Sequence, residues 1–600
     1  MNPVDPGGRN PRRPLKTPLV SHHRWRPAGH RGSGRPAVIL CLASLGLFTS
    51  GCAGGMTQWL HNGLKVGPDY GRPAAEVADT WIDSADRRLI GESPDTSAWW
   101  TVFKDPVLDN LVQMAYGQNL PLRIAALRVM EARAQYGIAR GNIFPQQQQV
   151  FGDYSKTRVS RNTATPAVGP RSFDFLDLGF DAAWELDIWG RYRRAIESAE
   201  ANLDANIEGY DGILVTLIGE VAATYVQIRA LEKQLEYTNQ NVEVQKGALQ
   251  LAEVRFRNGA TTELDVQQAK TNLANTRSLV PALEASLRQA QNRLCVLLGI
   301  PPQDIEDLLN GRQPIPTAPP AVAVGIPADL LRQRPDVREA ERQVAAASAQ
   351  IGVAYADLFP AFTILGSIQV ESANLSNLFT GNSLAGSIVA PGVRWNILNY
   401  GRIRNNIRGQ DARFQQAVVA YQETVLRANQ EVEDALIGFF KAQERYKEDR
   451  DAVDAARRSV ELALLQYRDG AVDFNRVFTL QSILATQENQ LAATQGDIAV
   501  NLIRIYKALG GGWQIRISGP NDSMPQLEEI PDQPLPGQPI PNPPFPEEPL
   551  IPQPMADAAA PEASDMTRVE IPVSGGGPPL MPVAWWRPVS QPLPLPAVPP

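Results

Sequence analysis

Shifted by 211 residues, the second half of this 600-residue chain falls on the first without a gap over more than a hundred positions. Trp184, Gly190 and Arg191 coincide with Trp395, Gly401 and Arg402; Arg257 and Gly259 coincide with Arg468 and Gly470; Leu298 and Gly299 coincide with Leu509 and Gly510. A repeat of that length is a duplicated structural unit, so any function must use both copies.

Each copy carries the rhythm of a long coiled coil. Ile207, Tyr210, Leu214, Leu217, Val221, Thr224, Ile228, Leu231 and Leu235 advance by steps of three and four, and the pattern continues to Leu249, Ala252 and Phe256. Val418, Tyr421, Val425, Ala428, Val432, Ala435, Phe439, Ala442 and Tyr446 keep the same phase in the second copy, which ends at Val460, Ala463 and Tyr467. No proline interrupts residues 171–280 or 392–519. The spacing predicts helices over about 191–257 and 402–468, each a rod of roughly 100 Å at ~1.5 Å per residue. Arg257-Asn258-Gly259 and Arg468-Asp469-Gly470 end the rods, glycine supplying the left-handed residue. Return helices are expected over about 262–298 and 472–509, so each copy contains a helical hairpin. Pro281 stands where the other copy has Ala492 and predicts a kink in one repeat only.

Heptads alone also suit a fibrous spacer, and the strands decide otherwise. Leu176, Leu178, Phe180, Ala182, Trp184, Leu186 and Ile188 alternate with Asp177, Gly179, Asp181, Glu185 and Asp187, one face apolar and the other acidic. That is the pattern of a membrane-barrel strand over an aqueous lumen. With strands at about 147–157, 172–188, 361–371 and 383–398, each chain has four, and four cannot close a barrel. An open edge in lipid leaves backbone groups unpaired, so other subunits must complete it. The loops 158–171 and 372–382 are polar and suit the outer face.

Residues 1–51 read as a signal peptide. A basic stretch precedes the apolar run 37–48, which is too short to span a membrane. Ser50-Gly51-Cys52 resembles a bacterial lipobox, with Thr49 where leucine is preferred; Cys52 is the expected lipidation site, and Ala53 suits sorting to the outer membrane. All four histidines lie in the first 61 residues, and Cys295 is the only cysteine beyond Cys52. The body therefore lacks the imidazoles of acid–base enzymes and the clusters that hold zinc; no enzyme activity and no cofactor or metal are expected. Cys295 is read as a small buried hydrophobe. A net charge of -7 without a basic stripe argues against nucleic acid. After Trp513 the composition changes, 24 of the 50 prolines falling in the last 87 residues, which predicts an extended, disordered tail able to reach cell wall or a partner. The expected divisions are 1–51, a lipid-anchored segment 52–105, repeats 106–312 and 327–513, and the tail 514–600.

Several segments in this order resemble the TolC-like outer-membrane efflux factors, and within them the NodT-type lipoproteins of multidrug efflux systems. They are Val66-Gly67-Pro68-Asp69-Tyr70 with Arg72-Pro73, Trp99-Trp100 with Phe103-Lys104-Asp105-Pro106, the junction from Trp184 to Arg191, Arg332-Gln333-Arg334-Pro335-Asp336, Leu358-Phe359-Pro360, and Tyr506-Lys507-Ala508-Leu509-Gly510-Gly511-Gly512-Trp513. The resemblance covers about residues 65–513. It implies a mainly α fold with membrane β: a homotrimer whose twelve-stranded β-barrel continues into a periplasmic α-helical tunnel in the cell outer membrane. The hairpin tips at Arg257, Asn258, Gly259 and Arg468, Asp469, Gly470 would meet a periplasmic adaptor protein that grips an inner-membrane RND-type pump. The implied function is a passive conduit for drugs or other small molecules. A type I protein-secretion duct and a structural coiled-coil envelope lipoprotein are the alternatives. The family's pore-narrowing acidic and basic positions fall on Thr479 and Ser482 here, so Asp473 and Arg476, with Asp265 as the repeat partner of Arg476, are expected to carry the closing contacts instead.

Overall fold

The computed structural model describes residues 59–92, 95–160, 162, 170–386 and 390–518. The expected leader, Cys52 and the tail beyond residue 518 lie outside them. In chain order the elements are β1 (Leu89–Ile90), α1 (Pro106–Gln118), α2 (Leu120–Gly141), β2 (Gln147–Arg158), β3 (Ser172–Leu186), α3 (Arg191–Arg257), α4 (Glu263–Leu297) and β4 (Val322–Ala323). They continue with α5 (Pro335–Ala356), β5 (Ala361–Ser372), β6 (Leu384–Ala385), β7 (Ala390–Arg394), α6 (Arg402–Arg468) and α7 (Phe474–Ala508).

The rods α3 and α6 each have 67 residues and each start from a glycine in left-handed backbone, Gly190 at φ 78° and Gly401 at φ 82°. Their returns α4 and α7 each have 35, and α4 runs through Pro281 without interruption. α3 packs on α4 and α6 on α7, and α7 also lies against α3, which joins the two hairpins. The seams carry the core. Leu214, Ile218 and Tyr225 meet Leu502, Ile503 and Tyr506 in one apolar cluster, where Trp99 stacks on Tyr506 at 5.5 Å. Burying such side chains is worth roughly 1.5–3 kcal/mol each. The second-copy seam is buried from Tyr421 to Ala442 and again at Val460, Ala463 and Tyr467. In the first copy Phe256, at the position of Tyr467, is 44% exposed; only one of the two seams stays closed to the tip.

The helices preceding the strands have local causes outside the heptad pattern. Asp105 caps α1 by accepting from Val107 N and Leu108 N behind Pro106 at the first turn; Asn119 caps α2 by accepting from Leu122 N. α5 lies between α3 and α6: Val337 and Val344 join Tyr421, Val425 and Ala428, and Arg338 pairs with Glu208 on α3 at 2.6 Å. Cys295 is buried, as expected, with its thiol 3.8 Å from Gln303 O.

One antiparallel sheet holds the strands in the order β2-β3-β5, with β6 and β7 both pairing with β5. β3 stops at Leu186 because the Asp187 carboxylate turns to accept from Tyr192 N and Arg193 N at the head of α3. The fourth strand, expected as one piece over about 383–398, is corrected to two. Leu384–Ala385 pairs with Gln369 and Val370, and Ala390–Arg394 pairs with residues 361–365. Gly386 at φ 133° bends the chain between them, and Pro391 removes a ladder donor, which an edge strand tolerates. A short parallel pair, β1 with β4, ties the N-terminal segment to the connection between the repeats; nothing in the pattern announced it.

Candidate functional site

Two regions carry chemistry, the polar face of the sheet and the hairpin tips. Register places Asp153 opposite Asp177, and Asp177 opposite Glu371, so three carboxylates lie in one row across three strands. Like charges directly opposite one another are destabilising unless water screens them, so this face is suited to water rather than to lipid. Phe151 lies on the same face over Gly179, where an added Cβ would meet its ring and Gln369 at 2.6 Å. The other face presents Leu176, Leu178, Phe180 and Trp184, and Trp184 Nε1 donates to Ile143 O at 3.0 Å. Neither the outer edge of β2 nor that of β7 has a partner strand among the described residues.

At the tips, Gly259 and Gly470 take φ 67° and 80°, as their place after Asn258 and Asp469 requires. Arg255, one turn before the first tip, reaches across to the second. Its Nη1 donates to Tyr467 O at 2.6 Å and Arg468 O at 2.8 Å, and its guanidinium lies 4.9 Å from the Tyr467 ring centroid. Tyr467 is buried; its hydroxyl donates at 3.1 Å to Asp265, which also accepts from Thr261. Burial and the neighbouring Asp265 carboxylate push the Tyr467 phenol upward, so it stays a donor. Ala248, Ala252, Val266, Ala269, Phe474 and Val477 pack beneath this contact.

The residues expected at the gate lie at several places around the tips. Asp473 precedes α7 as its N-cap, accepting from Arg476 N at 3.2 Å, so this carboxylate serves the helix end. The side chains of Asp473 and Arg476 are exposed on the single chain. Asp265 is not with them but with Tyr467 and Thr261. Thr479 donates to Asn475 O within its own helix, while Ser482 donates to Asn272 of the other hairpin at 3.3 Å. Sequence reasoning missed Arg255 and treated Tyr467 only as a seam residue. The available signal was their loss of symmetry, since the shift puts Arg255 on Gln466 and Phe256 on Tyr467.

Above the tip contact the hairpins meet through polar groups. Asn272 donates to Gln481 at 3.0 Å, and Glu488 accepts from Asn241 at 2.8 Å and from Arg457 at 2.7 Å. Gln245, 2% exposed, has neither amide atom partnered among the described residues.

Residues 111–300 and 326–511 match the family described as outer membrane efflux protein. The chain is 32% identical to the pyoverdine export outer membrane protein OpmQ of Pseudomonas putida, over 69% of this chain and 88% of the relative. It is 29% identical to nodulation protein T of Rhizobium leguminosarum bv. trifolii, over 76% and 96%. Among solved structures it is similar to the outer-membrane channel OprN, with a TM-score of 0.69, 33% identity, and coverage of 75% of this chain and 99% of that one.

Proposed function

The chain belongs to the outer membrane efflux protein family and is the outer-membrane channel component of an efflux system; on that premise we propose that three copies close one twelve-stranded barrel over a helical tunnel. The observation that carries the reading is the open sheet. It has an apolar face, an acidic face and two edges unpaired among the described residues, which is unstable in lipid as a monomer and complete as part of a closed barrel. Three β2-β3-β5-β6/β7 sheets supply the strands, and the acidic rows line the water-filled interior. Acyl chains at Cys52 hold the chain at the outer membrane. The tips around Gly259 and Gly470 take a periplasmic adaptor, which connects the tunnel to an RND-type pump. The protein performs no catalysis and moves drugs or other small molecules passively.

The tunnel closes at the tips. Within each chain the Arg255–Tyr467–Asp265 contact holds the second hairpin against the first, and the exposed Asp473 and Arg476 of the three chains face one another across the aperture. Export from a strain deleted for this chain tests the reading. The deletion accumulates the pump's substrate, the wild-type chain restores export, and a chain with both tips replaced by unrelated turns reaches the outer membrane without restoring it. Full restoration by the tip-replaced chain would refute the adaptor contact.

A further inference from the structure

The two long helices begin alike and are covered differently. At the head of α3, Arg193 donates to Asp187 at 3.0 Å, to Gly63 O at 2.6 Å and to Leu64 O at 3.0 Å. Arg194 donates to Val66 O at 3.1 Å and to Asp69 at 2.8 Å, and Lys65 pairs with Glu197. Residues 63–69 thus lie as a strap over one face of α3, and Arg193, Arg194 and Glu197 are each answered by an opposite charge or a carbonyl.

The chain has one such strap and two helix heads. The shift of 211 puts Arg404 on Arg193, Asn405 on Arg194 and Arg408 on Glu197, and it replaces Asp187, the carboxylate paired with Arg193, by Leu398. Arg404 and Arg408 are exposed. Among the described residues Arg404 has no hydrogen bond or ion pair, and Arg408 reaches Asn405 Oδ1 at 3.4 Å. The sign of the segment inverts. Residues 185–204 hold five carboxylates and three arginines, whereas residues 396–415 hold one carboxylate and four arginines.

Apolar side chains are bare directly above these arginines. Ile397 is 70% and Leu398 84% exposed, and Ile397 stands at the position of Leu186, the end of the apolar face of β3. At ~1.5 Å per residue, Arg404 and Arg408 lie about 3 and 9 Å below the first residue of α6. That is the depth of the headgroup region flanking the ~30 Å hydrocarbon core.

We propose that the head of α6 binds the phosphate groups of phospholipids in the periplasmic leaflet of the outer membrane. Ile397 and Leu398 enter the acyl boundary, and the guanidinium groups of Arg404 and Arg408, one helical turn apart, take the phosphates in bidentate hydrogen bonds. In the first repeat the strap supplies carbonyls and a carboxylate to the corresponding face; in the second, lipid supplies the anion. The strap descends from the expected acyl anchor at Cys52, so the face it covers, and the matching face of Arg404 and Arg408, is the outside of the tunnel. The inference rests on the channel reading and deepens it by naming the lipid chemistry that the top of the tunnel meets.

The test uses the full-length protein in phosphatidylcholine vesicles, with spin-labelled phosphatidylglycerol or spin-labelled phosphatidylcholine as the probe and the motionally restricted fraction as the readout. Wild-type protein is expected to select phosphatidylglycerol several-fold, less so at high salt. Arg404→Gln with Arg408→Gln lowers the selection several-fold while the detergent-resistant oligomer persists, and Arg404→Lys with Arg408→Lys keeps most of it. Leu398→Asp restores the carboxylate that the first repeat sets beside Arg193, and it lowers the selection with both arginines in place. Arg458→Gln, far down α6, leaves it unaltered. Selection that survives both the paired glutamine substitutions and Leu398→Asp overturns the proposal. Loss of the oligomer in the glutamine pair, with selection unchanged by Leu398→Asp, also overturns it and assigns the arginines to a contact with a second copy of the chain. Conductance by wild-type protein without phosphatidylglycerol selection removes the lipid site and leaves the channel; selection without conductance keeps the site and removes the channel.

Discussion

Asp265 accepts two hydroxyl donors, Tyr467 from the other hairpin and Thr261 from its own turn, so the tip contact is centred on a carboxylate above a small apolar cluster shared by the two hairpins. A hydrogen bond to a charged group contributes about 1.5–3 kcal/mol. Tyr467→Phe keeps the ring against Phe474 and loses only that bond; it is expected to raise uptake of a bulky antibiotic several-fold with outer-membrane abundance unchanged, and unaltered uptake would show that the bond does not hold the tip. Asp473→Ala removes a helix cap at a cost of about 1 kcal/mol. Faster amide exchange confined to the first turn of α7 is expected, together with a change in conductance when combined with Arg476→Ala; unchanged conductance would assign Asp473 to helix capping alone. The turn glycines were legible because left-handed backbone demands them. Arg255 and Tyr467 were not, since a heptad treats Phe256 and Tyr467 as equivalent and only the docking of one hairpin on the other makes one buried and the other exposed.

Among the elements, the rods and their returns were readable because two signals agreed, an unbroken 3.5-residue period and a glycine stop. The strands were readable by alternation, except where β6 and β7 part. There Gly386 and Pro391 act on the backbone without disturbing the side-chain pattern. α2 and α5 went unread because at 22 residues each they lie outside the long unbroken heptad runs. The polar layer between the hairpins separates an apolar cluster at the tip from the large cluster above it. Buried polar positions fix register at a cost in stability. Gln245→Leu removes a buried amide without partners and is expected to stabilise the chain by about 1–3 kcal/mol, read as a higher thermal midpoint; a lower midpoint would mean that the amide is satisfied in the assembled protein. Gly179→Leu drives a side chain into Phe151 and Gln369 and is expected to abolish barrel assembly, read as loss of the detergent-resistant oligomer.

At the scale of the whole molecule, duplication explains why one chain carries two hairpins and one open sheet. In the proposed trimer three duplicated chains give six quasi-equivalent hairpins around an axis, and the differences between the copies mark the places where the assembly can act unequally. The Arg255–Tyr467 contact has no counterpart with the repeats exchanged, which makes the tip three-fold instead of six-fold. Single-channel recording of the purified protein in a planar lipid bilayer tests this account most directly. With no partner and no energy source present, small uniform conductance steps are predicted for the wild-type chain, and steps several-fold larger for Arg255→Ala combined with Tyr467→Phe. Membrane-inserted protein that gives no steps with either chain would contradict it.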